Sequence, residues 1–129
     1  MTPHEELLDL LVDTVEENCS LPDKVSLEEL EKDGGIYAEL GSGFVDTTYY
    51  NKQEIKEIPV LFMCRYNSQK QCLNVLNSIC FYLQRMRNYP QGSCVSWLDT
   101  TIAKEPSKIG RDADGVYHYS CILNCKIFY

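Results

Sequence analysis

Between Ser68 and Arg87 apolar side chains recur at intervals of three and four: Cys72, Val75, Leu76, Ile79, Cys80, Leu83 and Met86. Such spacing places them on one face of a helix. Ser68 and Gln71 form an S-x-x-Q capping box, in which each side chain can satisfy a backbone N–H left open at the helix start. Lys70, Asn74, Asn77, Ser78, Gln84, Arg85 and Asn88 fall on the opposite, polar face. Arg85 and Arg87 suit the negative end of the helix dipole, and Tyr89-Pro90-Gln91-Gly92 ends the element. Directly upstream, Ile58 to Tyr66 is an apolar run of strand type. A helix that follows a strand so closely is expected to cover the sheet to which that strand belongs. Val75, Leu76, Ile79 and Leu83 are then core residues.

The last stretch, Val116 to Tyr129, alternates. Tyr117, Tyr119, Cys121, Leu123, Cys125, Ile127 and Tyr129 fall on one side, and His118, Ser120, Asn124 and Lys126 on the other. This is the period of a half-buried strand, with Leu123 and Ile127 as core positions. Asp114-Gly115 before it is a hairpin-type turn. Val95 to Lys104, around the single tryptophan Trp97, predicts another strand, and Glu105 to Arg111 reads as a loop.

At the other end, Thr2 to Asn18 predicts a first helix with a T-x-x-E box and Pro3 at its first turn. Leu7, Leu8, Leu11, Val12 and Val15 form its apolar stripe; Glu5, Glu6, Asp9, Asp13, Glu16 and Glu17 form an acidic outer face. Ser26 to Asp33 suggests a single capped helical turn. Ile36 to Leu40 is a short strand, Gly41-Ser42-Gly43 a turn, and Phe44 to Tyr50 a β-forming, aromatic segment. Gln53 to Tyr66 is then one long strand whose first half is polar on both faces, the pattern of an arm or hairpin that projects from a domain. Phe44, Tyr49, Tyr50 and Lys52, together with Phe81 on the central helix, are the candidate subunit or partner contacts, because aromatic side chains are enriched at such surfaces. The whole order predicts one α+β domain over residues 1–129: a mainly antiparallel sheet of four to five strands, with one long helix and an N-terminal helix packed against it.

Charge and cysteine usage narrow the function classes. Nineteen acids against 12 bases give a net charge of −7, which disfavours affinity for a phosphate backbone. No apolar run reaches the roughly 18 residues needed to span a membrane, and the N-terminus lacks the pattern of a signal peptide. Seven cysteines, an odd number with no C-x-x-C pair, read as reduced thiols of a cytosolic environment rather than as a disulfide framework or a zinc site. His4 and His118 have no nucleophile or carboxylate at useful local spacing, and a pairing of His118 with Cys64 or Cys94 has no motif behind it. Asp112-Ala113-Asp114-Gly115 lacks the third acid and closing Glu of a calcium loop. The expectation is an acidic interaction domain, not an enzyme, with no catalytic residues, no metal and no cofactor.

Two stretches point further. One is Ser68-Gln69-Lys70-Gln71-Cys72-Leu73, opening a helix after a strand. The other runs from the Trp97 strand to Ile109-Gly110-Arg111 and Asp114-Gly115-Val116-Tyr117-His118-Tyr119, then into an alternating terminal strand. With the length and the N-terminal helix, these resemble the tail terminator or minor capsid proteins of long-tailed bacteriophages and prophages. The likeness covers Ile58 to Tyr129; the N-terminal half matches by element order alone. It departs at the seven cysteines and at Phe44 to Asn51. The resemblance implies a structural protein of the virion, made in the bacterial host cytoplasm. It would form a homo-oligomeric ring, a hexamer, on the head-proximal end of the tail tube. The ring ends polymerisation of the major tail tube protein, meets a head completion protein, and passes DNA through its lumen without specific binding. Two other classes stay open: another neck component, such as a head completion or connector protein, and a cellular α+β protein-interaction domain.

Overall fold

The computed structural model describes residues 3–19, 21, 24–27, 35–41, 44–48, 54–93, 95–111 and 115–128, with the backbone alone at 3, 44–48 and 54. Two helices, α1 (Pro3–Asn18) and α2 (Gln69–Arg85), accompany β1 (Val25–Ser26), β2 (Gly35–Leu40), β3 (Phe44–Thr48), β4 (Glu54–Tyr66), β5 (Ser96–Arg111) and β6 (Tyr117–Phe128). The class is α+β. The sheet is mixed and has six strands: the order is β1-β2-β4-β6-β5, and β3 also pairs with β4. It exceeds the expected four to five strands because Val25 and Ser26 add a short parallel strand beside Ile36 and Tyr37. Ser26 lies in that strand, and the rest of the helical turn it was expected to cap, residues 28–33, lies outside the described ones.

β4 and β6 form the centre. Their inward pairs are Ile58↔Cys125, Val60↔Leu123, Phe62↔Cys121 and Cys64↔Tyr119, all buried. β2 adds Ile36 and Ala38 to the same face, opposite Cys64 and Phe62. Against that face lie Cys72, Val75, Leu76, Ile79, Cys80 and Leu83 of α2 and Leu7, Leu11 and Val15 of α1, in one continuous core. Ser68 caps α2, its side chain accepting from Gln71 N. The helix stops at Arg85, two residues before the expected end. Met86 is already extended, and Tyr89 turns back so that its hydroxyl donates to Leu83 O at 2.6 Å, satisfying a carbonyl of the last turn. The Tyr89 ring also lies 4.7 Å from that of Trp97.

Pro59 explains the break between β2 and β3. Gly41 N donates to Pro59 O at 2.7 Å. In an extended strand the N–H and C=O of one residue point the same way, so the donor that proline lacks would also have faced Gly41. The ladder to β6 on the other side loses nothing. β2 ends opposite Val60 and β3 begins opposite Glu57, so the two succeed one another along a single edge of β4. A Cβ on Gly41 would lie 3.0 Å from the Pro59 ring. The polar first half of β4 belongs to an antiparallel hairpin with β3 rather than to a projecting arm: Ile55, Lys56 and Glu57 pair with β3 on one edge and with Phe128, Ile127 and Lys126 of β6 on the other.

Two further expectations change. Glu105 to Arg111 is not a loop; it continues β5 alongside β6, through register shifts between Ile102 and Lys104, Lys104 and Ser107, and Lys108 and Gly110. β5 is an edge strand, where Pro106 needs no partner for a missing donor and bulges absorb the turn-forming residues. The face of α1 is also less simply acidic. Glu6 is buried, its Oε1 accepting from Val95 N and its Oε2 from Ser93 Oγ, both at 3.0 Å. Glu16 Oε1 accepts from Val25 N at 2.9 Å. These two carboxylates tie α1 to the chain around residues 93–95 and to β1.

Among the described residues, the cysteines are free thiols; Cys64, Cys72, Cys80, Cys121 and Cys125 are buried and Cys19 is half-buried. Burial pushes the Cys125 thiol up to about 12 and raises Cys64 and Cys72 as well. Contact with Cys80 and burial raise Cys121. Raised thiols hold little thiolate, which is the reactive form. The hydrogen bond with Cys121 lowers Cys80 instead, and burial raises Cys19 too, so solvent access rather than ionisation sets Cys19 apart from the buried five. Labelling of the native protein near neutral pH should therefore modify Cys19 well before the five buried thiols, while denaturation should expose all seven. The contribution of the raised thiols to stability should be constant below the unfolded value near 9 and decline as pH rises from there toward 12, because in that window they ionise freely only in the unfolded chain. Rapid native modification of the buried five would contradict this packing.

Candidate functional site

The polar face of α2 is not uniformly solvated. Phe81 lies opposite the buried stripe and is 52% exposed. Arg85, four residues on and hence one turn away, places its guanidinium 5.1 Å from the Phe81 ring centroid. The expected dipole role of Arg85 thus comes with a second one: it stacks on an exposed aromatic ring, an arrangement that favours cation–π attraction. The end of α1 sits alongside. Cys19 Sγ donates to Ser78 O at 3.7 Å, which closes α1 onto the middle of α2.

Between them runs an open groove of about 810 Å³, lined by Asn18 and Cys19 from α1, by Phe81, Tyr82 and Arg85 from α2, and by Arg87 beyond its end, among others. Among the described residues no Asp or Glu lines it, although the chain as a whole carries −7. Arg85 and Arg87 are both exposed. The site is a cationic, aromatic depression on an acidic protein, with the half-buried Cys19 thiol in its wall.

A second cationic cluster stands at the β5–β6 hairpin, where Lys108 and Arg111 approach the Tyr117 ring at 5.6 and 5.3 Å. It is built on an edge strand. Of the predicted contact residues, Phe81 lies in the groove. Phe44 enters β3 opposite Glu57, on another element, with its side chain outside the description; Tyr49, Tyr50 and Lys52 lie outside the described residues. Val75, Leu76, Ile79, Leu83, Leu123 and Ile127 are all buried. Arg87, Asn18 and Cys19 were not anticipated as neighbours of Phe81.

The structure does not bring His118 and Cys64 together. Cys64 pairs with Tyr119 and Arg65 with His118, so adjacent positions send Cys64 and His118 to opposite faces of the sheet. Cys94 and Asp112 to Asp114 lie outside the description. No group of three or more His, Cys, Asp or Glu side chains among the described residues could hold a metal ion. No helix among them is long and apolar enough to cross a membrane. No protein-family model matches the chain, and no curated protein matches it.

Proposed function

We propose that this protein is a tail terminator of a long-tailed bacteriophage or prophage: a structural, non-enzymatic ring that caps the head-proximal end of the tail tube. The ring halts growth of the tube and offers its other surface to the head. The observation that carries this reading is the meeting of the two stretches that bear the resemblance. The strand–helix junction around Tyr66 to Leu73 and the hairpin from Ile109 to Tyr119 are far apart in sequence. In the fold Tyr66 pairs with Tyr117 and Cys64 with Tyr119, and Cys72 Sγ donates to Tyr117 O at 3.8 Å. That the two halves of the pattern pack together supports reading them as one unit.

The mainly antiparallel sheet with both helices on one face supports the same reading, as does the acidic balance, which suits a lumen through which DNA slides without sticking. A ring built head-to-tail has unlike top and bottom surfaces, as a cap between a tube and a head requires. A phage lacking this protein should therefore accumulate filled heads and unjoined tubes of uncontrolled, often excessive length. Electron microscopy of the mutant lysate is the test. Free tails of uniform wild-type length would reject the terminator role and favour a head completion protein.

A further inference from the structure

We infer that the groove between α1 and α2 is the socket for a second copy of this chain, and that its occupant is the acidic stripe on the neighbour's α1. Glu5, Asp9, Asp13 and Glu17 recur every four residues on α1, and all four are exposed. They span about 18 Å along one side of the helix. This stripe remains on the surface after Glu6 and Glu16 have turned to tie α1 down. The groove offers the complement: Arg85 and Arg87, no acid among the described residues, and the exposed Phe81 ring at its side. Arginine and aromatic side chains dominate the energetics of protein contacts, and opposite charges set the register in which two surfaces meet.

The stripe and the groove are different surfaces of one molecule, so the contact is heterologous and propagates head-to-tail. It rests on the ring reading above and assigns the surfaces by which that ring closes. The hairpin cluster of Lys108 and Arg111 is the competing cationic surface. Both of its cations lie over a single ring, that of Tyr117, whereas in the groove only Arg85 stacks on Phe81 and Arg87 stands beside it.

The experiment is sedimentation velocity on the full chain at low and high ionic strength, with circular dichroism to verify folding. The wild type should form an assembly larger than a dimer that weakens with salt. Arg85→Ser/Arg87→Ser and Asp9→Asn/Asp13→Asn should each weaken self-association by on the order of tenfold or more. Mixed together, they should give a 1:1 heterodimer that grows no further, since each retains one intact surface. The charge-reversed pair, Arg85→Glu/Arg87→Glu with Asp9→Arg/Asp13→Arg, should recover the larger assembly on mixing. Lys108→Glu/Arg111→Glu should leave it unchanged. If one set of serine or asparagine variants fails to fold, the other still decides, because each disables the same contact from its own side. An assembly indifferent to both sets, or broken by the Lys108/Arg111 change, overturns the assigned surfaces but leaves a ring standing. A wild type that stays monomeric or stops at a dimer removes the inference and the ring together.

Discussion

A chain ending at Ser120 should not fold. The deleted segment holds Cys121, Leu123, Cys125 and Ile127, each fully buried. It also lies between two strands: residues 121–128 pair with β4 from Ile55 to Phe62 on one side and with β5 from Ser96 to Lys104 on the other. The truncation therefore removes core side chains and separates Trp97 and Thr100 from the rest of the sheet. Losing one buried Leu or Ile side chain costs about 2–5 kcal/mol, against a total near ~5–15 kcal/mol for a domain of this kind. Losing several, with the ladder on both sides, exceeds that total. Leu123→Ala is the graded version: it should keep a cooperative melting transition at a lower temperature. Thermal unfolding followed by circular dichroism measures both. A cooperative transition in the truncated chain would mean that β6 is peripheral to the core.

α2, β4 and β6 were legible in the sequence because each carries a strong local period and sits in the middle of the core. For those elements propensity, pattern and burial agree. The second half of β5 was not legible. Glu105-Pro106-Ser107-Lys108 has the composition of a turn, and it is extended because β6 continues beside it and an edge tolerates bulges. β1 is two residues long and has no periodicity to detect. The break at Gly41 was visible as glycine punctuation, but its cause lies across the sheet in Pro59.

The candidate site divides the same way. Phe81 and Arg85 are four residues apart on the polar face of a helix, a spacing that sequence reasoning can use. Asn18 and Cys19 reach them only through the docking of α1 on α2, a non-local event. Glu6 shows the limit of helix-face arithmetic. It precedes Leu7 and borders the buried stripe, and a carboxylate at such a border can turn either way. Here it turns inward because the chain around residues 93–95 presents two donors.

That inward turn leads to a second large effect. Gly92→Ala and Glu6→Ala should each destabilise the protein by about 2–4 kcal/mol, and the double variant should lose far less than the sum. Glu6 receives Val95 N and Ser93 Oγ. Removing its carboxylate strands a buried N–H and forfeits hydrogen bonds to a charged acceptor, worth about 1.5–3 kcal/mol apiece at most. Gly92 N donates to Val95 O, which folds the chain tightly over the carboxylate. A Cβ on Gly92 would fall on Glu6 Cγ, Cδ and Oε1, so alanine there expels the carboxylate and loses the same bonds. These Glu6 atoms are the nearest obstacles to that Cβ. With Glu6 already truncated, Gly92→Ala should therefore cost little more. A double-mutant cycle by chemical or thermal unfolding measures the coupling; each kcal/mol corresponds to roughly 3–5 °C in Tm for a chain of this size. Strict additivity would show that Gly92 and Glu6 act independently, and that the carboxylate does not fasten the start of α1 beneath the turn leading into β5.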